Sequence, residues 1–186
     1  MPLERVVVFG FAGSGKSTLA RQLAQRLGLE YFETDALHWN PGWVGTPTPQ
    51  FREKIEAATA GVRWATEGNY SQVRDIYLKR ADTVIWLDYP FWFTYLRLLR
   101  RTLGRILDRQ PICNGNYETF GGAFLSRKSL LLYALQSRWR MWREGTDYSS
   151  RWDTYPHLEV LRFRRAKETQ AWLEGLKDGG QRAAGA

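Results

Sequence analysis

The residues best able to do chemistry are Gly10-Phe11-Ala12-Gly13-Ser14-Gly15-Lys16-Ser17-Thr18, directly after the apolar run Val6-Val7-Val8-Phe9. Their spacing fits G-x-x-x-x-G-K-[ST], the pattern of a phosphate-binding loop. Glycines accept positive φ and let backbone approach a phosphate with no Cβ in the way. Successive N–H groups then form an anion nest, reinforced by the positive end of a helix starting near Lys16. Lys16 is expected to reach the β- and γ-phosphates of a nucleotide, and the Ser17 hydroxyl to ligate Mg²⁺. The expected nucleotide contacts are thus Gly10, Ala12, Gly13, Ser14, Gly15, Lys16, Ser17 and Thr18.

Acids follow two further apolar stretches. Glu33-Thr34-Asp35 leaves residues 30–33, and Glu67-Gly68-Asn69-Tyr70 leaves residues 62–66. In phosphoryl transfer one carboxylate can orient a metal or its water, and another can take the proton of the attacking hydroxyl. Asp35 is the expected proton acceptor, although an acid there can also cap a turn. Glu67 is the expected metal carboxylate and Glu33 the alternate. Asp88 is a third contender, or else the cap of a helix opening at Pro90. Gly68 would let the backbone turn beneath a substrate. His38, Trp39 and Trp43 lie on a stretch bearing Pro41, Gly42 and Gly45, where they can wall an acceptor pocket or staple the loop. Asn69, Tyr70 and Arg74 complete the candidate substrate contacts.

Arg97, Arg101, Arg105 and Arg109 recur every four residues, with Arg100 beside them. On a helix they form one cationic stripe, and unpaired like charges at that spacing cost ~0.2–0.5 kcal/mol each. Such a helix is expected to meet anions; a solvated face is the plainer alternative. A well-placed arginine is worth ~10³–10⁵ in the rate of phosphoryl transfer, so Arg97, Arg101 and Arg105 join Lys16 and Asp35 as catalytic candidates. Arg127, Lys128, Arg138, Arg140 and Arg143 continue the basic character. Arg162, Arg164, Arg165 and Lys167 surround the exit of the last apolar run, where Arg165 is expected to lie against an adenine base.

The residues that position these groups alternate between strand and helix. Strands are expected over 6–9, 30–33, 62–66, 83–87 and 158–163. Leu19, Leu23 and Leu27 give one helical stripe, closed by Gly28. Thr48-Pro49 reads as N-cap and first residue of a helix ending before Gly61. Further helices are expected over 71–80, 90–109, 126–143 and 167–176, with loops over 34–48 and 110–122 and a disordered tail over 179–186. This order implies an α/β fold: a parallel sheet with helices on both faces and ligands at the carboxyl ends of its strands.

The chain has 186 residues, 44% hydrophobic and 25% charged, which suits one soluble globular domain. A net charge of +8 points to anionic partners without separating a nucleotide from a nucleic acid. The single cysteine excludes an internal disulfide framework and suits a reducing cytoplasm. A strand beginning almost at the N-terminus argues against a signal peptide, and no apolar run is long enough to span a bilayer.

Together, the loop, the strand-end acids and the arginine-rich segment resemble the adenylate-kinase and small-molecule-kinase branch of P-loop proteins. More narrowly, Thr34-Asp35-Ala36-Leu37-His38-Trp39, Pro41-Gly42-Trp43, Glu67-Gly68-Asn69-Tyr70 and Ala81-Asp82-Thr83-Val84-Ile85-Trp86-Leu87-Asp88 are similar to the adenylate-kinase-related proteins called DNA topology modulation proteins. The resemblance is good over residues 6–105 and loose beyond. It implies a three-layer P-loop NTPase fold with a five-stranded parallel sheet ordered 2-3-1-4-5, an acceptor-binding region over about 34–61, and an arginine-bearing helical lid over about 97–151. It also implies ATP and Mg²⁺. Two departures bear on the acceptor. Nucleoside monophosphate kinases of this branch grip the acceptor phosphate with arginines where this chain has His38 and Ser71, with Arg74 a possible substitute. Asp35-Ala36-Leu37-His38 is similar to the Asp-x-Leu-His of gluconate kinases, and Glu33-x-Asp35 to the Asp-x-Asp of shikimate kinases.

The expectation is therefore an ATP-dependent phosphotransferase, a monomer or dimer acting on a small hydroxyl-bearing metabolite. A nucleoside or nucleoside monophosphate acceptor is the second reading. A nucleic-acid-associated ATPase is the third, disfavoured because no recognition-helix signature is present.

Overall fold

The computed structural model describes residues 3–126, 129–144 and 152–176. Five strands form one parallel sheet: β1 (Arg5–Gly10), β2 (Glu30–Glu33), β5 (Trp64–Glu67), β6 (Thr83–Leu87) and β9 (Glu159–Phe163), in the spatial order β2-β5-β1-β6-β9. Counting these five strands alone, the order is 2-3-1-4-5, as the resemblance implies. β1 is central, and Val6, Val7, Val8 and Phe9 are fully buried.

The period of two along β1 assigns its side chains to two cores. Val6 and Val8 face Leu19, Leu23 and Leu27 of α1 (Lys16–Leu27) and Leu173 of α7 (Ala166–Glu174). Val7 and Phe9 face Phe51 and Ile55 of α3 (Thr48–Ala58) and Ile76 and Tyr77 of α4 (Arg74–Arg80). Each fully buried aliphatic side chain of this kind contributes about 1.5–3 kcal/mol relative to exposure. Gly28 ends α1 in the left-handed conformation, φ 62°, and its N–H bonds to the Ala24 carbonyl.

A third cluster, Leu98, Leu131 and Ala134, packs α5 (Phe91–Leu107) against α6 (Leu130–Glu144) and reaches Ala12 of the glycine loop. The arginine helix is thereby seated on the loop. A Cβ on Gly13 would lie 2.2 Å from the Thr94 carbonyl oxygen of α5, so only glycine fits there, and its φ of 81° adds a second reason.

Several boundaries differ from expectation. The third sheet strand starts at Trp64, because Val62 is 82% exposed and contributes nothing to the core. Helix α3 begins at Thr48 itself, with Pro47 in the capping position. Residues 34–48 are not simply a loop: they form α2 (Thr34–His38) and a hairpin of β3 (Trp39–Asn40) and β4 (Val44–Gly45). Residues 110–122 likewise contain a hairpin, β7 (Pro111–Ile112) with β8 (Asn116–Tyr117). Helix α5 stops at Leu107, so Arg109, with φ 47°, is off the arginine stripe. Helix α4 covers only Arg74–Arg80 of the expected 71–80. Arg127, Lys128, residues 179–186 and the side chain of Arg140 lie outside the described residues.

Candidate active site

Three strands of the sheet deliver the site's polar groups at their carboxyl ends. β1 runs into the glycine loop, β2 into Glu33 and Asp35, and β5 into Glu67. Registry pairs Glu67 with Val8 of the strand that feeds the loop, and Glu33 with Glu67 one strand further out.

Gly13 and Gly15 adopt φ of 81° and 95°, and Ser14 donates its N–H to the Phe11 carbonyl at 3.1 Å. Gly15 caps α1 in the left-handed conformation, so the helix begins at Lys16. A Cβ on Gly15 would have one near neighbour, a terminal guanidinium nitrogen of Arg97 at 3.6 Å. Arg97 thus stands over the loop's last glycine, with its guanidinium also 5.4 Å from the centre of the Phe93 ring.

Lys16 Nζ donates to the Phe11 carbonyl at 3.0 Å. Burial lowers its pKa, opposed by Glu67 and then Asp35, while Arg101 lowers it further. Burial also lowers the pKa of Arg101, as does Arg105, against the pull of Glu118, Asp35 and Glu67. Lys16, Asp35, Glu67 and Arg101 therefore act on one another electrostatically, and Arg101 is exposed to solvent.

Glu67 is 3% exposed. Burial pushes its carboxyl up to about 7, against the pull of Lys16, while Asp35 and Glu33 push the same way as burial. The Ser17 hydroxyl bonds to it. Its Oε1 is buried with no hydrogen-bond partner. A buried carboxylate oxygen beside a serine hydroxyl fits a divalent cation, which would satisfy both. The residues present therefore suit Mg²⁺. Glu33 is more open, its carboxyl raised chiefly by burial and next by Asp35, and Arg21 lies 3.8 Å away.

Asp35 lies in the first turn of α2, and its Oδ1 accepts a 2.7 Å hydrogen bond from the Tyr70 hydroxyl. Beside them, the His38 ring contacts Trp39, Phe51 and Tyr70 at centroid distances of 4.6, 4.8 and 4.7 Å. Burial lowers the His38 pKa, which Asp35 opposes. A Cβ on Gly68 would crowd Thr34 at 3.2 Å, and its φ of 147° disfavours any side chain. Asn69 accepts from Arg74 at 3.1 Å. Trp43 is 40% exposed and packs edge-on to Trp39 at 5.6 Å.

Three candidates have other partners. Arg105 pairs with Glu118 at 3.2 Å. Arg165 starts α7 and pairs with Glu168 across 3.8 Å, its side chain 82% exposed. Asp88 does not cap α5; it holds Arg162 at 2.6 Å, and that guanidinium covers the Trp86 ring. Residues not singled out from sequence also reach the site: Cys113, whose sulfur lies within 4.8 Å of carboxylate oxygens of Glu33 and Asp35, and Asn114 and Asn116, which bond to residues 36–43. The Asn114-Gly115 pair was the available signal, since Asn-Gly marks tight hairpin turns.

A family model described as "ATPase family associated with various cellular activities (AAA)" matches residues 6–88. A gluconokinase from Sinorhizobium meliloti 1021 superposes with a TM-score of 0.51 over 92% of both chains, at 17% identity. The chain shares the fold of that protein. The chain is also 35% identical, over 86 residues, to a bifunctional pantoate ligase/cytidylate kinase of Gloeobacter violaceus, a match covering 45% of this chain and 15% of that one. It is 38% identical, over 68 residues, to a cytidylate kinase of Oleidesulfovibrio alaskensis, covering 34% and 30%. The chain thus spans less than a third of the length of the curated relatives it matches. No described helix is long and apolar enough to cross a membrane.

Proposed function

We propose that this protein is a P-loop enzyme, an ATP-dependent phosphotransferase that moves the γ-phosphoryl group of ATP onto a hydroxyl of a small metabolite. The observation that carries the reading is the placement of Asp35, held by Tyr70, in one electrostatic neighbourhood with Lys16, Glu67 and Arg101. In this reading residues 10–18 cradle the phosphates through backbone N–H groups, and Lys16 offsets their charge. Ser17 and Glu67 would hold Mg²⁺, with Glu33 the alternate; the ion, when bound, neutralises charge on the β- and γ-oxygens. Asp35 accepts the proton of the attacking hydroxyl as the acceptor O–P bond forms and the bond to ADP breaks. Arg97 and Arg101 of the arginine helix stabilise charge on the transferring group, Arg97 from over the loop and Arg101 from the same electrostatic neighbourhood as Asp35 and Glu67.

The acceptor side supports a hydroxyl-bearing metabolite. Glu33 and Asp35 face it together, and Arg74 is engaged by Asn69. Two carboxylates repel an acceptor phosphate and accept hydroxyl donors. A nucleoside monophosphate acceptor is the second reading, favoured by the likeness to cytidylate kinases. Residues 34–61 then form the acceptor-binding region and residues 97–151 the lid. A coupled assay of ADP release with gluconate, shikimate, cytidine and CMP separates the readings. Turnover on a hydroxylated metabolite and not on CMP supports the first, and turnover confined to CMP overturns it.

A further inference from the structure

The segment after α5 carries a device that phosphate binding does not use. The turn between β7 and β8 holds three successive left-handed residues: Cys113 (φ 40°), Asn114 (φ 65°) and Gly115 (φ 83°). Left-handed backbone at a cysteine persists only where surrounding contacts hold it. Those contacts lie on the acceptor region. Asn114 Nδ2 donates to the carbonyls of Ala36 at 2.8 Å and Trp39 at 2.7 Å. Asn116, 4% exposed, donates from Nδ2 to the Asn40 carbonyl at 3.0 Å and accepts the Trp43 N–H on Oδ1 at 2.8 Å. The Trp43 indole N–H reaches the Tyr117 carbonyl at 3.1 Å. Trp43 is itself left-handed, φ 58°. At the other end, the Glu118–Arg105 pair ties the hairpin back to α5. At its tip, the Cys113 sulfur approaches both Glu33 and Asp35.

We propose that the β7–β8 hairpin is the wall that selects the acceptor: Asn114 and Asn116 fasten it to residues 36–43, and Cys113 presents the surface an acceptor meets beside Asp35. This rests on the phosphotransferase reading above. Cys113 stands beside two carboxylates, so the class the wall admits is a polyol or sugar-like compound that presents hydroxyls to Asp35 on that side. Anionic substituents are turned away there. Asn114 and Asn116 are positioning residues, and Cys113 is the specificity-determining one.

The test uses the full chain with three variants, Asn114→Ala, Asn116→Ala and Cys113→Ala. Hydrogen exchange is read for peptides covering 36–46 and 5–10. ADP release is read with water alone, gluconate, shikimate and CMP. Mg·ATP affinity is read by calorimetry. Losing the two hydrogen bonds to residues 36–43 in either asparagine variant should speed exchange over 36–46 by about tenfold and leave 5–10 unchanged. Cys113→Ala should shift the relative rates among the four acceptors, water included, by at least ~fivefold while Mg·ATP affinity stays within about twofold. Unchanged exchange over 36–46 in both asparagine variants overturns the fastening. Unchanged relative rates in Cys113→Ala overturn the selectivity. A wild-type chain with no Mg·ATP affinity instead overturns the phosphotransferase reading, a result distinct from either. Asn114, exposed at the turn, gives a variant that keeps the test alive if Asn116→Ala fails to fold.

Discussion

Tyr70 donates its hydroxyl to Asp35 Oδ1 at 2.7 Å, joining the residue three positions beyond one sheet strand to the residue two positions beyond its neighbour. The bond fixes which carboxylate oxygen stays free for an attacking hydroxyl. Burial first, and the Asp35 charge next, raise the Tyr70 pKa, so the phenol remains the donor at neutral pH. Asp35→Asn should lower kcat by at least ~10², the range for loss of a general base, with the KM for ATP unchanged. Tyr70→Phe should lower kcat by about tenfold, as expected of a lost orienting bond. Steady-state kinetics check both; full activity in Asp35→Asn would remove Asp35 from the chemistry.

Lys16 is held against its own loop by the Phe11 carbonyl and sits among Glu67, Asp35 and Arg101. Lys16→Ala should cut turnover by roughly 10³ through lost stabilisation of the transferring phosphoryl. Thermal melting should show the fold retained.

The arginine helix makes a graded prediction. Arg101→Ala should lower kcat by at least ~10² if its guanidinium meets the transferring group. Arg109, beyond the end of α5 and exposed, serves as the comparison: Arg109→Gln should leave kcat within about twofold, as surface changes usually do.

Glu67 gives a pH dependence. Its carboxyl is raised from 4.5 to about 7, mainly by burial. Between those values the folded chain binds more protons than the unfolded chain, so stability contributed by Glu67 is fully present below pH 4.5 and is lost as pH rises through about 7. In metal-free buffer, the melting temperature of wild type should fall across that window relative to Glu67→Gln, and the two curves should run parallel above it. Mg²⁺ with ATP should flatten the difference, because the ion favours the carboxylate. Parallel curves throughout would place Glu67 outside a buried, unpaired environment.

Much of this frame was legible in the residues. Val6 to Phe9 could only be a buried strand, and the glycine-lysine-serine spacing fixed where the helix starts. The strand-end rule picked out Asp35 and Glu67 because a parallel sheet brings its carboxyl ends together. What escaped was set by tertiary contact. Two-residue strands such as Trp39–Asn40 and Asn116–Tyr117 carry no periodicity, and Asn116 declares itself only when the Trp43 amide is found against it. The four-residue spacing alone places Arg97, Arg101, Arg105 and Arg109 on one helix. The helix ends two residues early, and Arg105 is partnered by Glu118 from a hairpin that pattern reasoning took for loop.

Everything above depends on residues 10–18 gripping a polyphosphate with help from Ser17 and Glu67. Calorimetry of the wild-type chain with ATP, with and without Mg²⁺, tests this most directly. The account predicts one saturable site with a dissociation constant between about 1 μM and 1 mM, weakened at least tenfold on removing Mg²⁺. No saturable heat at millimolar Mg·ATP would contradict it.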